Sequence, residues 1–316
     1  MSKRNPNEKF KSKIGGQALI EGIMMKGPDK MSMACRLPNG EIDIEQWEVN
    51  NGKNAPWYKK CPIVRGCVIF VSSIIDGYKC ITKSAEKQGE AFEEEEMSPF
   101  ERKMTEIFGD KLMTVLSGIA VVLGVLLCIG LFMFLPMFIT KLMSGFLTNP
   151  VLKTLIEGVI KIALFVGYLA VVACSKDIKR TYEYHGAEHK TITCYESGEE
   201  LTVENVRTKC RFHPRCGTSF MIITLIISIL VFSLVTWDNL AVRIALKLAL
   251  LPLVCGISYE IIRVAGKYDN WLTRIISAPG LALQRLTTKE PDDGEIECAI
   301  AALKVCIPEN QEDDRW

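Results

Sequence analysis

TVLSGIAVVLGVLLCIGLFMFLPMFI, the stretch at residues 114–139, contains no charged side chain and almost no polar one. A helix rises 1.5 Å per residue, so about 20 apolar residues are enough to cross the hydrocarbon core of a bilayer. Helices of soluble proteins seldom stay apolar over such a length, because they turn one face to water. The stretch therefore predicts a transmembrane helix. The alternative is a helix buried in the core of a large soluble protein.

Three more apolar stretches follow along the chain, and they occupy residues 152–174, 218–237 and 241–263. The fold class predicted from these segments is an α-helical membrane protein with about four transmembrane helices and a small cytosolic α+β portion. A charged side chain at the centre of a bilayer costs about 3 kcal/mol. We therefore expect the second and fourth segments to pack together with Glu157 near Lys247, or Glu157 to pair with Lys161 one helical turn away.

The charges outside these segments indicate how the chain is oriented. The protein has 38 Lys and Arg against 37 Asp and Glu, and this balance excludes a general binder of nucleic acid. Lys and Arg concentrate before residue 114, at 175–217 and after residue 263, which predicts that these parts are cytosolic. We thus expect a multi-pass protein of the cell membrane with cytosolic termini and no cleaved signal peptide. The lipid bilayer is the expected partner, and a membrane-protein partner or a homo-oligomer stays open.

Composition divides the sequence into a basic disordered segment at 1–13, a cytosolic or interfacial region at 14–113, a membrane domain at 114–263 and a cytosolic segment at 264–316. In the second region, Asn39-Gly40 between two alternating stretches predicts a β-hairpin. Residues 63–85 predict an amphipathic helix that is interfacial or re-entrant. In the last region, Asp292 and Glu295 have the spacing of a capping box, which predicts that a short helix begins there.

The three histidines of the chain, His185, His189 and His213, fall in the loop between the second and third apolar segments. A helix that continues from the second segment through His185-Gly-Ala-Glu-His189 would place both imidazoles on one face, one turn apart. The H-x-x-E-H string is also the signature of inverzincin metalloproteases, in which the two His bind zinc and the Glu acts on bound water. We expect His185 and His189 to bind one divalent metal ion, with zinc as the favoured ion, and Glu188 to act as the catalytic base.

The remaining ligand is expected from the segment just before the third apolar stretch. His213 or Cys216 is the favoured third ligand, because imidazole and thiolate both suit zinc, and Cys210 is an alternative. Carboxylate alternatives are Glu196, Glu199, Glu200 and Glu204. Arg211 and Arg215 would hold an anionic substrate, or serve only as flanking positive charges. A closed structural zinc site, or histidines that make ordinary polar contacts without a metal, are the competing interpretations.

Several strings resemble motifs of the bacterial YqhQ-like membrane proteins, among them YHGAEHK at 184–190 and HPRCGTSF at 213–220. The other strings lie at residues 15–18, 21–25, 195–196, 201–206 and 286–291. The likeness spans roughly residues 14–304, and several long strings occur in the same order. It implies a metal-dependent enzyme without an established substrate. Cys210 lies outside the matching strings, so the resemblance favours His213 and Cys216 over it.

These patterns predict a metal-dependent, hydrolase-like enzyme whose site lies at the cytosolic face of the membrane. The rival interpretation is a non-catalytic membrane scaffold or transport-assisting factor with a structural metal. The two differ in coordination, since a catalytic site keeps one position open beside a free carboxylate and a structural site is closed by four protein ligands.

Overall fold

The computed structural model describes residues 10–52, 55–92, 112–145, 149–234, 240–268 and 270–315. Within these ranges the chain is mostly helical and contains a small antiparallel sheet near its N-terminal end. The predicted combination of long apolar helices with a smaller α+β portion is confirmed in this coarse form.

The sheet consists of four consecutive strands, β1 (Gly15–Leu19), β2 (Gly22–Lys26), β3 (Lys30–Arg36) and β4 (Ile42–Glu48). The turn from β3 to β4 contains the Asn39-Gly40 pair, and Gly40 has a φ of 88°, which glycine adopts without steric cost. The predicted hairpin is therefore confirmed. A second hairpin joins β1 to β2 through Ile20 and Glu21, and Glu21 has the positive φ that so short a turn requires.

The helices of the described residues are, in chain order, α1 (Val64–Phe92), α2 (Leu112–Ile129), α3 (Leu135–Leu142), α4 (Pro150–Val172), α5 (Lys176–Glu196), α6 (Val203–Arg207), α7 (Gly217–Ser233), α8 (Leu240–Lys267), α9 (Trp271–Thr287) and α10 (Asp293–Cys306). A π-helical turn at Gly130–Phe134 joins α2 to α3. Short 3-10 helices lie at Trp57–Lys59, Met143–Gly145 and Gln311–Asp314.

Helices cover both faces of the sheet, because the strands have apolar side chains on both. On one face, Met24 and Met33 pack with Cys80 of α1. On the other face, Ile23 and Ala34 pack against α5 and α10. Helix α10 begins at a capping box formed by Asp292 and Glu295, so the predicted start of this helix is confirmed.

Three helical segments are long and apolar enough to cross a membrane, namely Gly118–Leu142, Val151–Val172 and Ile244–Lys267. They correspond to the first, second and fourth predicted segments. The third differs, because α7 is equally apolar but has only 17 residues. The predicted segment extends through residues 235–237, which lie outside the described residues.

Two helix boundaries in the centre of the chain differ from the predictions. Helix α4 does not continue into the His185–His189 string, since it ends at Val172 and extended backbone at Ser175 precedes α5. Helix α9 is not predicted by the patterns above, because its buried face is mostly small or polar rather than apolar and consists of Thr273, Ser277, Gly280, Leu283, Gln284 and Thr287.

Glu157 connects the apolar helices through two ion pairs. Its Oε1 lies 2.8 Å from Lys161 Nζ within α4 and 3.1 Å from Lys247 Nζ of α8. The Glu157 side chain is buried, and α7 packs against both α4 and α8. Both ion pairs that the sequence offered for Glu157 are confirmed, whereas the expected packing of the second apolar segment against the fourth occurs mainly through α7 in the described residues.

Helix α1 extends from the apolar helices to the sheet. Arg65, near its start, forms an ion pair with Glu260 of α8, and Gly66 lies so close to Tyr259 that a Cβ there would approach the Tyr259 Cβ to 2.7 Å. Its exposed apolar side chains include Val71, Ile74, Ile75 and Tyr78. The helix is amphipathic as predicted, with its first turns against α8.

Residues near the two ends of the chain pair with each other. The Ser12 hydroxyl donates to Asp314 Oδ2 at 2.7 Å, and the Lys13 N–H donates to Oδ1 at 2.8 Å. The basic segment predicted to be disordered is therefore ordered from residue 10 onwards, and residues 1–9 lie outside the described residues.

Candidate metal centre

Three of the predicted ligands come together where α5 meets the start of α7. His185 and His189 lie one turn apart on α5, with their ring centroids 4.4 Å apart, and Cys216 is the N-cap residue of α7. One potential ligand atom from each of these three residues lies within 4.8 Å of the other two. Two imidazoles and one thiol form a donor set that suits zinc.

Backbone carbonyl groups orient both imidazoles. His185 Nδ1 lies 2.8 Å from the Thr287 carbonyl oxygen, and His189 Nδ1 lies 2.6 Å from that of Arg211. A carbonyl oxygen only accepts, so in the neutral rings each Nδ1 carries the proton and each Nε2 keeps its lone pair. In the described part of the chain, His189 Nε2 is buried without a hydrogen-bond partner. Metal-binding histidines usually have this second hydrogen bond, which holds the ring and its tautomer.

Cys216 provides the sulfur of the cluster. Its Sγ lies 3.1 Å from His185 Nε2 and accepts a hydrogen bond from the Thr218 N–H at 3.4 Å. Burial raises the pKa of a thiol, but the nearby His185 and His189 hold the pKa of Cys216 well below its usual value. Burial also lowers the pKa of His185, yet the Cys216 thiolate raises it to about 9. This lowered pKa favours the thiolate, which is the form that binds a metal ion.

Glu188 lies between this cluster and strand β1. Its Oε1 accepts a hydrogen bond from the Gly16 N–H at 3.0 Å, whereas its Oε2 is buried with no hydrogen-bond partner among the described residues. Burial raises the pKa of Glu188, and the charges of His185 and His189 reduce that rise. A buried carboxylate with one free oxygen beside the ligands has the properties of a general base.

His213 lies next to the cluster, and its ring nitrogens are not in the ligand group of His185, His189 and Cys216. Its ring centroid is 5.6 Å from that of His189. Its Nε2 lies 3.2 Å from an Arg215 nitrogen and 3.8 Å from a Glu196 oxygen. Burial lowers the pKa of His213 to about 4, so the ring is neutral and accepts from Arg215.

The other sequence-based alternatives lie apart from the cluster. Cys210 is exposed, and Glu199 pairs with Lys209. The two arginines considered as anion ligands are both paired with carboxylates, Arg211 with Glu290 and Arg215 with Glu196.

Gln284 of α9 supports the centre and is not revealed by the sequence patterns. It is fully buried, its Oε1 accepts from the His213 N–H at 2.8 Å, and its Nε2 donates to the His213 carbonyl at 2.7 Å. Helix α9 thus holds the loop that precedes Cys216, and its last residue orients His185. Gln284 stands between Leu283 and Arg285, so its neighbours in the sequence give no signal of this role.

Comparison with known proteins agrees with the motifs noted in the sequence. A family model described as "Protein of unknown function (DUF1385)" matches residues 61–309. The chain is 35% identical over 290 residues to "Uncharacterized protein YqhQ" of Bacillus subtilis (strain 168), and the alignment covers 92% of this chain and 90% of that protein. No solved structure matches the chain. The predicted YqhQ-like resemblance is thereby confirmed, and the chain belongs to the DUF1385 family.

Proposed function

We propose that the protein is a metal-dependent hydrolase of the cell membrane, with its active centre at the cytosolic face. The observation that carries the proposal is the convergence of three donors: two imidazole Nε2 atoms, each on a ring whose Nδ1 lies at a backbone carbonyl, and the Sγ of Cys216. Without a metal ion, the buried Nε2 of His189 has no partner in the described residues. An unpaired buried acceptor costs about 1–3 kcal/mol, which metal binding would remove.

The donor set favours zinc over harder divalent ions, because thiolate is a soft ligand and imidazole suits zinc equally well. A zinc ion in such a site polarises a carbonyl group and lowers the pKa of a water. Glu188 is then the group that accepts the proton from the attacking water, through the oxygen that has no partner.

A catalytic role is favoured over a purely structural one by the number of ligands. Among the described residues, the group that meets the distance criterion contains His185, His189 and Cys216, and His213 binds Arg215 instead. Three protein ligands with a free carboxylate nearby are typical of catalytic zinc sites, whereas structural sites have four protein ligands. The non-catalytic scaffold remains the rival function.

The location at the membrane is supported by the apolar helices and by the place of the centre among them. Three segments have the length and composition of membrane spans, and Cys216 directly precedes the apolar helix α7. With α7 counted as a fourth span, these segments and the distribution of Lys and Arg support four spans with cytosolic termini.

Metal analysis of the purified full chain tests the proposal. We expect about one zinc ion per chain, with loss of zinc in His185→Ala and retention in His213→Ala. Glu188→Gln should retain zinc and abolish hydrolysis. A structural site predicts instead that Glu188→Gln has little effect and that His189→Ala destabilises the protein. Absence of zinc from carefully purified protein would contradict both forms of the metal centre.

The pair of Cys216 and His185, with Sγ and Nε2 3.1 Å apart at a helix N-terminus, also has the arrangement of a cysteine nucleophile and its base. The same purified protein can distinguish this cysteine-dependent mechanism from the zinc-dependent one. Hydrolysis that persists after removal of zinc with a chelator, and that iodoacetamide abolishes, would favour the cysteine nucleophile.

A further inference from the structure

Strand β1 is an edge strand, and the register shows which of its backbone groups face outward. Gly16 lies opposite Met25 and Ala18 lies opposite Ile23 in the pairing with β2. The Gly16 N–H points away from β2, since it donates to Glu188. Hydrogen bonding alternates from side to side along a strand, so the N–H and C=O groups of both Gly16 and Ala18 face outward.

This outer edge is only partly occupied. At one end the Ile20 N–H donates to Ser84 Oγ of α1 at 3.3 Å, and at the other end Gly16 binds Glu188. Between them the Ala18 N–H has no hydrogen-bond partner in the part of the chain that the structure describes, and Ala18 is half-buried. An edge with unpaired N–H and C=O groups is a template on which another chain can add as a strand.

The same edge leads directly to the candidate metal centre. A Cβ at Gly16 would lie 3.0 Å from Glu188 Cδ, so the backbone of β1 is in contact with the carboxyl group. Glu188 in turn is adjacent to His189 and one turn from His185 on α5. A chain paired with Ala18 would therefore pass beside Glu188, near the cluster of His185, His189 and Cys216.

We propose that the substrate is a polypeptide, bound in extended form along the outer edge of β1 with its backbone paired to Ala18. This inference rests on the hydrolase function proposed above. Water adds to the peptide carbonyl while Glu188 accepts its proton, the C–N bond breaks, and the proton leaves with the amine. A lipid ester lacks the regular N–H and C=O groups that would pair with such an edge.

The first test uses the full chain in detergent and fluorescein-labelled β-casein as an unfolded polypeptide. We expect the Glu188→Gln variant to bind it saturably in fluorescence anisotropy, and the zinc-loaded wild type to cleave it. Ala18→Pro removes the outward N–H and should weaken both by about tenfold, the loss expected for one hydrogen bond at the upper end of its usual strength. Ile44→Pro is the matched control, since it removes an outward N–H at the far edge, on β4, and should change neither.

A second test leaves the protein unchanged and so does not depend on how Ala18→Pro folds. A casein-derived peptide that binds Glu188→Gln is N-methylated at alternate residues. Two versions are compared, one methylated at the odd residues and one at the even residues. We expect about tenfold weaker binding for the version whose methyl groups replace the N–H groups that face β1, and unchanged binding for the other version.

Zinc content is measured in each preparation, so the two proposals can fail separately. A wild type without zinc contradicts the metal centre, while binding to Glu188→Gln still reports on strand pairing. The peptide proposal is overturned if zinc-loaded protein fails to bind casein, if Ala18→Pro and N-methylation have no effect, or if fluorescent phosphatidylglycerol in vesicles is cleaved instead.

Discussion

Gly186, between the two histidines of α5, illustrates how a single residue positions the candidate centre. A Cβ at this position would lie 2.0 Å from the Lys289 carbonyl oxygen. The absence of a side chain therefore lets α5 contact the segment just after α9, which brings the Thr287 carbonyl to His185. The glycine in the histidine string has a packing role that a helix-propensity argument alone would not reveal.

Gly186→Ala should destabilise the protein although alanine is the better helix former. Overpacking costs about 1–3 kcal/mol in a tight contact, while Gly→Ala gains about 1 kcal/mol in a helix. We expect a lower unfolding temperature and reduced zinc content, measured by thermal unfolding and metal analysis. Gly89→Ala in α1 is the control, since its Cβ would meet no atom within 4 Å, and it should not lower either quantity. Equal behaviour of the two variants would contradict the close contact.

At the scale of single elements, the start of α10 combines a helix cap with a buried carboxyl group. Glu295 is fully buried, and its Oε2 accepts a hydrogen bond from the Asp292 N–H at 2.9 Å. Burial raises the pKa of Glu295 to about 7, from an ordinary value of 4.5, against the opposing charge of Arg180, whose Nη1 lies 2.9 Å from Oε1. The folded protein thus holds this proton more tightly than the unfolded chain does.

This raised pKa predicts a loss of stability at high pH. The contribution of Glu295 is fully present below the unfolded pKa of 4.5 and is lost as the pH rises through 7. Between pH 5 and pH 8 the wild type should lose up to about 3 kcal/mol relative to Glu295→Gln, which retains the capping box but does not titrate. Chemical unfolding at several pH values measures this difference. Parallel pH profiles of the two proteins would show that burial does not raise the pKa.

Helix α9 supports the centre through Gln284, so Gln284→Leu should weaken zinc binding. The change leaves the buried N–H and C=O of His213 without their partner, which costs about 2 kcal/mol or more. Because this loop leads to Cys216, zinc affinity should fall by about 10–100-fold in competition with a chelator.

A matched control for this prediction is Gln88→Leu in α1. Gln88 is also buried and donates to the Arg36 carbonyl at 2.7 Å, but it contacts the sheet rather than the centre. It should lower stability and leave zinc affinity unchanged. Equal zinc affinities in both variants would mean that α9 does not position the ligands.

At the scale of the whole molecule, the ion pairs of Glu157 join helices that are distant in sequence. Its partner Lys247 lies 90 residues away, on α8. Apolar helices pack in many orientations with similar energies, because their surfaces are alike. A buried carboxylate between Lys161 and Lys247 favours one arrangement, since any other leaves a charge unpaired in apolar surroundings.

A double-mutant cycle with Glu157→Gln and Lys247→Met tests this role. We expect Glu157→Gln to be the more destabilising single change, because it leaves two lysines without the carboxylate. The cycle should show a coupling energy of at least about 1 kcal/mol, measured by unfolding in one detergent. The exposed pair of Arg207 and Asp293 is the control and should show no measurable coupling. Additive effects at Glu157 and Lys247 would contradict the predicted coupling.

Features that depend on neighbours within one or two turns could be predicted from the sequence. The apolar segments, the hairpin at Asn39-Gly40 and the cap at Asp292 follow from periodicity and turn chemistry that are local in the chain. The placement of His185 and His189 on one face is of the same kind, since i and i+4 positions adjoin on any α-helix. The break before α5, the existence of α9 and the ordered residues 10–13 escaped these local rules.

Tertiary structure decided what surrounds the two histidines. His185 is oriented by a carbonyl 102 residues away, and Glu188 by an N–H 172 residues away. His213 and Cys216 were equal as sequence candidates, and their difference arises because Gln284 and Arg215 hold His213 while α7 directs the Cys216 thiol to the cluster. Such contacts depend on how helices pack, and helix packing is set by the fit of whole surfaces rather than by the spacing of residues along the chain.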